Sequence, residues 1–223
     1  NINLAKNVLG DMQAYYKIVS TREDFMAELR TGKYNLYMLL DSKKPLTGHD
    51  DEELAAEVAK GKGIIASRDA NGDNLKNLGL FGVKFKGSTT PHDFTVEFPA
   101  DSEFGQLTLS GKGKAQDLIL DGGQEHAVLN SKKGASPGVV TYQYQNGNSL
   151  LFAFDIGSCT GDIESVLKKA VELTAPASEV DNGFAELEIQ IKAYTAVGAE
   201  IKLNIPQDAE IIWMSPDESE LTF

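Results

Sequence analysis

Cysteine is almost missing from this sequence. Cys159 is the only one in 223 residues, which excludes a disulfide within the chain. That usage is compatible with the cytoplasm and equally with secreted bacterial proteins that do without cysteine. Basic residues are in deficit: 21 Lys and Arg stand against 33 Asp and Glu, a formal net charge of −12. Such a surface repels phosphate, which argues against nucleic acid and anionic membrane as partners. No run of 18 apolar residues occurs, so no membrane insertion is expected. There are three histidines, His49, His92 and His126, with no HxH or HxxxH spacing, so the pattern offers no metal centre. No signal peptide, internal repeat or low-complexity tract is visible. The chain opens Asn-Ile-Asn instead of with Met, and is read as a processed product or an excised fragment of a longer protein.

What is present suffices for a packed core, with 41% hydrophobic and 24% charged residues. Residues 3–14 carry apolar side chains at helical spacing, interrupted by Gly10. Residues 15–19 (YYKIV) read as a short strand. Ser20 or Thr21 then caps a helix that has Glu23 and Asp24 in its first turn and stops at Gly32. Residues 34–40 (YNLYMLL) and 63–67 (GIIAS) are nearly all apolar, as strands covered on both faces must be. Between them, residues 51–60 (DEELAAEVAK) form an acid-first helix. This β-α-β-α-β order implies parallel strands with right-handed crossovers. The opening helix lacks a strand before it. A first strand is therefore expected upstream or from elsewhere.

From about residue 80 the pattern changes to short, partly alternating segments: 83–86, 94–98, 106–109, 118–120, 127–130 and 139–144. Asn146-Gly147-Asn148 reads as a hairpin turn into SLLFAFDI, and Gly111-Lys112-Gly113-Lys114 as another turn. A helix over 163–173 follows. After a linker, residues 185–193, 200–205 and 210–214 alternate as half-buried antiparallel strands. The expected fold is α/β: a three-layer sandwich with a mostly parallel sheet plus β-hairpin additions, over residues 1–174. A small C-terminal antiparallel β segment is expected over 183–223.

Two stretches suggest chemistry. Gly157-Ser158-Cys159-Thr160-Gly161 lies between a buried strand and a helix, like a nucleophile elbow, where a helix N-terminus activates a thiol. Catalysis by Cys159 needs a nearby base, His92 or His126, and the competing reading is an ordinary strand-to-helix loop capped by Thr160 or Asp162. Asp69, Asn71 and Asp73 resemble the opening of a calcium loop, but the sixth and twelfth positions are Asn74 and Leu80 instead of Gly and Glu. Calcium is the one cofactor this pattern suggests; a polar turn is the alternative. Ligands of open α/β sheets gather beyond the carboxyl ends of the strands, where Asp41, Asp69, Asn71, Asp73 and Asp155 are placed as ligand-binding candidates.

The stretch YNLYMLLDSKKPLTGHDDEELAAEVAKGKGIIAS, with QYQNGNSLLFAFDIG later, resembles class I glutamine amidotransferase-like domains of flavodoxin-like α/β fold. The tail IKLNIPQDAEIIWMSP is similar to Ig-like modules of secreted bacterial proteins. The enzymes of that family carry a cysteine in a strand-to-helix elbow, followed by a His and a Glu. Here GIIAS is followed by RDANGDN, and Cys159 comes after all three histidines. The resemblance implies the fold without the catalytic residues. The functional expectation is a non-catalytic structural or recognition domain of a larger bacterial envelope or extracellular protein, with a protein or glycan partner. The alternatives are a hydrolase or amidotransferase using Cys159 and a calcium-stabilised adhesion module.

Overall fold

The computed structural model describes residues 1–40, 49–67, 78–89 and 92–176. They belong to a unit spanning Asn1–Ala177; the expected β segment over 183–223, with its Ig-like resemblance, lies outside the described residues. The described chain runs α1 (Ile2–Asp11), α2 (Arg22–Thr31), β1 (Leu36–Leu39), α3 (His49–Ala59) and β2 (Gly63–Ser67). Then come β3 (Val83–Ser88), β4 (His92–Phe98), β5 (Leu107–Gly113), β6 (Gln116–Leu120), β7 (Gln124–Ser131), β8 (Gly134–Tyr144) and β9 (Gly147–Phe152). The two-residue β10 (Cys159–Thr160) and α4 (Ile163–Thr174) close it.

The helix boundaries follow from local chemistry. Thr21 accepts a hydrogen bond from Asp24 N at 3.0 Å and starts α2; Gly32, at φ +65°, stops it in the left-handed region. Asp162 accepts from Ser165 N at 3.2 Å and starts α4. α1 runs through Gly10 without a break.

The expected three-layer, mostly parallel sandwich is corrected. The sheet has eight strands in the order β1-β2-β9-β8-β7-β4-β5-β10, curled into a half-barrel, and strands outweigh the four helices. Only β1-β2 and β2-β9 pair in parallel; all other pairs are antiparallel. The segments after residue 80, expected as hairpin additions, form most of the sheet. β3 and β6 pair separately as a two-stranded ribbon. The physical reason is visible in burial. All five residues of β2 are buried, as helices on both faces require, whereas β4 and β5 alternate between core and solvent.

The helices take opposite faces of the parallel part. A Cβ on Gly63 would meet Thr174 of α4, while one on Gly147 would overlap Val58 O of α3. The register aligns Ile64 with Ser149, two residues from Gly147, so Gly63 and Gly147 point to opposite sides. α1 packs on α4 and α2 on α3. Chain length explains the curl. β10 lies five strand spacings from β9, roughly 24 Å across a flat sheet. Seven Cα–Cα steps join Phe152 to Cys159 (159 − 152), reaching roughly 23–25 Å at full extension, and the 3-10 turn over Ile156–Ser158 shortens that reach. The far edge must bend back toward β9 for the pairing to form.

Three further expectations are corrected. Residues 15–19 form no ladder with any described strand, and Tyr15, Tyr16 and Ile18 stay exposed. The segment 111–114 is mostly strand, because Gly111 and Gly113 pair with Phe94 and His92. The β8–β9 turn is Gln145-Asn146, with Gln145 at φ +54°; Gly147 already belongs to β9. Gly147 is required there by the close approach of the α3 backbone. Gly147→Ala is expected to cost about 1–3 kcal/mol by overpacking, and Leu151→Ala, at a position with no exposure, about 2–5 kcal/mol; urea unfolding midpoints measure both.

Candidate functional site

The carboxyl ends of β1, β2 and β9 meet at one edge, and the described polar groups there are satisfied by one another. Ser67 is the last residue of β2; its Oγ donates to Phe154 O at 3.0 Å and accepts from Ile156 N at 2.9 Å. Asp155 caps the following 3-10 turn, its Oδ1 accepting from Gly157 N at 3.0 Å. The same oxygen accepts from Asn1 Nδ2 at 2.8 Å, and that amide also donates to Leu40 O at the end of β1. The Asn1 side chain lies so close over Gly157 that a Cβ there would overlap it. Of the expected ligand set, Asp155 stands at this edge. Asp41, Asp69, Asn71 and Asp73, with the calcium-loop reading, lie outside the described residues. Among the described residues no three His, Cys, Asp or Glu side chains form a metal-sized group.

Cys159 sits elsewhere than an elbow would put it. It lies in β10, paired with Gly111 of β5, and α4 begins only at Ile163, beyond Gly161 at φ +116°. The residue is 6% exposed, with its sulfur against Gly111, and the thiol donates to Asp155 O at 3.8 Å. Burial pushes its pKa up to about 12, the reverse of an activated thiol.

No histidine serves as its base. His49 is exposed on α3 beside Glu52 and Glu53. His92 is exposed in β4. His126 is buried in β7, with Nε2 at 2.7 Å from Thr141 Oγ1 and its ring edge-on to Phe104; burial lowers its pKa and keeps it neutral.

A different surface was not singled out in the sequence. The solvent face of β7-β4-β5-β10 forms a groove of about 550 Å³. The registers Thr95↔Asn130, Thr95↔Ser110 and Ser110↔Thr160 align four polar side chains in one row across four strands. The next row brings Asp93 opposite Lys112, with Lys132 from the turn after β7 and Ser158 from the 3-10 turn at the same rim. Among the described residues, Asp93, Lys112 and Lys132 make no ion pair or side-chain hydrogen bond. The readable signal was the i, i+2 spacing of these residues on alternating strands; which strands are neighbours was not readable.

The thiol's state has a measurable consequence. Between pH 9.0 and about 12 only the unfolded chain releases the Cys159 proton, so stability falls as pH rises through that window. Buried Tyr37, also raised to about 12, adds to the fall above pH 10. Urea unfolding at pH 8 and pH 10.5 should show a smaller loss in Cys159→Ala than in the parent chain, and iodoacetamide should label the parent at pH 8 only after unfolding.

No family model matches the chain, and no curated protein matches its sequence. Its fold is similar to that of a ThuA-like protein from Bacteroides uniformis: TM-score 0.55 and 13% identity, over 76% of this chain and 80% of that one. A cytoplasmic protein from Salmonella typhimurium matches with TM-score 0.51 and 15% identity, over 68% and 75%. A β-galactosidase from Rahnella sp. R3 matches with TM-score 0.50 and 14% identity, over 62% of this chain but 22% of that one; the chain thus spans about a fifth of that enzyme's length. At such identities the likeness concerns the fold alone. It is consistent with a ThuA-like, amidotransferase-like fold and lends no support to the Ig-like resemblance of the tail.

Proposed function

We propose that this is a non-catalytic recognition domain of a larger bacterial envelope or extracellular protein, and that it binds through the polar groove across β7, β4, β5 and β10. The observation that carries this reading is the contrast between the two polar surfaces. At the carboxyl edge, Ser67, Asp155 and Asn1 use one another as partners. In the groove, Asp93, Lys112 and Lys132 have no partner among the described residues. The single thiol, which an enzyme of the resembled family would need, is buried and protonated.

The groove favours a glycan that carries carboxylates. Its hydroxyl and amide row is spaced by the strands, about 4.8 Å apart, and offers both donors and acceptors to a ligand rich in hydroxyls along its length. The two ammonium groups at one rim suit the ligand's carboxylates on a chain that is otherwise strongly acidic.

Isothermal titration with oligogalacturonate, and with a neutral oligosaccharide of the same length, tests the reading. Binding is expected for the acidic oligosaccharide and should weaken with salt. Lys112→Ala and Lys132→Ala should each weaken it about threefold, and the pair about tenfold, as expected of exposed ion pairs. Binding that ignores both lysines, or no binding at all, sinks the groove as a glycan site. An acidic peptide that binds with the same lysine dependence would assign the groove to a protein partner.

A further inference from the structure

Beside the end of α4 the sheet carries a second pocket, of about 350 Å³, that shares no residue with the groove. Its floor follows from strand register. Thr141 and Gln143 stand two apart on β8 and therefore share a face. The ladders set Gln124 of β7 opposite Thr141, and Asn148 of β9 opposite Gln143. Four polar side chains thus form a square patch across three strands. Leu150, the β9 partner of Thr141, has no exposure, and Leu173 of α4 forms an apolar wall.

His126 and Glu103 complete the lining. His126 is 4% exposed. The β7–β8 ladder steps from Glu125↔Val140 to Ala127↔Val139, so His126 is the extra residue of a bulge, a device that re-aims a side chain. Its Nε2 lies 2.7 Å from Thr141 Oγ1, and among the described residues its other ring nitrogen has no hydrogen-bond partner. Phe104 stands edge-on to the imidazole with ring centres 5.5 Å apart, and packs on Phe98 at 5.1 Å. These contacts anchor the turn between β4 and β5, and with it Glu103, at the rim. The Glu103 carboxylate acts on the imidazole from there, opposing the effect of burial.

The charge of this pocket is the reverse of the groove's. No Lys or Arg is among its described lining residues. Among the described residues Glu103, Gln124 and Asn148 make no ion pair or side-chain hydrogen bond. The lining therefore offers one unpaired carboxylate, three amides, a hydroxyl and an uncharged imidazole that does not repel a cation. The volume is near the lower end for small-molecule sites and suits one sugar-sized ring, not a chain.

We propose that this pocket binds a small polyhydroxylated ligand carrying one ammonium group, an amino sugar by chemical class. Glu103 takes the ammonium, and Gln124, Gln143 and Asn148 exchange hydrogen bonds with the hydroxyls. The site goes beyond the groove reading and does not depend on it.

Glucosamine, glucose and glucuronate are titrated at pH 7 into the full chain, followed by NMR of the histidine rings. His49 and His92 are exposed and serve as internal controls. Glucosamine should shift the His126 ring signals and leave the other two in place. It should bind about three- to fivefold tighter than glucose, the range of an exposed ion pair, and glucuronate should bind weakest. Glu103→Gln should bring glucosamine and glucose to equal affinity. Gln143→Trp, at an exposed strand position, should fill the floor and abolish both, with thermal unfolding confirming that the variant is folded. Lys112→Ala should change nothing here. No shift at His126 up to tens of millimolar sugar would overturn the proposal. So would equal affinity for glucosamine and glucose in the parent chain, or binding that survives Gln143→Trp.

Discussion

β9 has a parallel neighbour on one side and an antiparallel neighbour on the other, and the two halves of the domain are joined through it. Leu150, Leu151 and Phe152 have no exposure, and neither have Ala153 and Phe154 just beyond the strand. Toward β2 the sheet is wrapped by helices on both faces and tolerates only apolar side chains. Toward β8 it leaves one face to solvent, and the strands alternate. The same segment continues past its ladder: Ala153 N donates to Gly138 O at 2.9 Å, and Gln116 N donates to Ala153 O at 2.7 Å, tying β8 to the start of β6. From there the chain turns at Asp155 and reaches β5. A change in β9 is therefore felt at both ends of the sheet.

The curl that follows from this connection decides the fate of the two polar surfaces. It brings the 3-10 turn beside the far strands, so that Ser158 lines the groove while Cys159, one residue on, points into the core. One side of that turn exposes hydroxyls to solvent. The other side holds a thiol between Gly111 and the carbonyl of Asp155. The alternation of a two-residue strand is enough to separate a surface group from an inert one.

Local signals in the sequence were read correctly where a local interaction causes the structure. Thr21 and Gly32 delimit α2 by their own cap geometry, and the continuous apolar run GIIAS announces a strand buried on both faces. The Asn-Gly pair near residue 146 marks the hairpin but not its register, because the close approach of α3 to Gly147 is a tertiary fact. The same holds for 111–114. Two glycines and two lysines look like a turn, but Gly111 is small because Phe94 and Cys159 press against its position across the sheet. Beyond the parallel β1–β2 crossover and the β8–β9 hairpin, strand order was not legible. The alternating segments after residue 80 carry no mark of which neighbour each will choose, so the parallel part was given too much weight and the row Asn130, Thr95, Ser110, Thr160 went unseen. The glycines around Cys159 fit an elbow and a strand crossing at close range equally well, so the sequence leaves both open; the structure shows the strand.

The pairing of β2 with β9 aligns Ile64 with Ser149, 85 residues apart (149 − 64). During synthesis, β1, β2 and α3 leave the ribosome long before the strand that covers them exists. The most apolar part of the sheet waits with an open edge while the antiparallel strands form their local hairpins first. Long-range parallel pairing of this kind is slow, because loop closure opposes it until the final contacts form. The order of the chain thus delays the β2–β9 ladder until strands β3 to β8 have been made, and leaves the nascent chain dependent for that interval on whatever shields its unpaired strands.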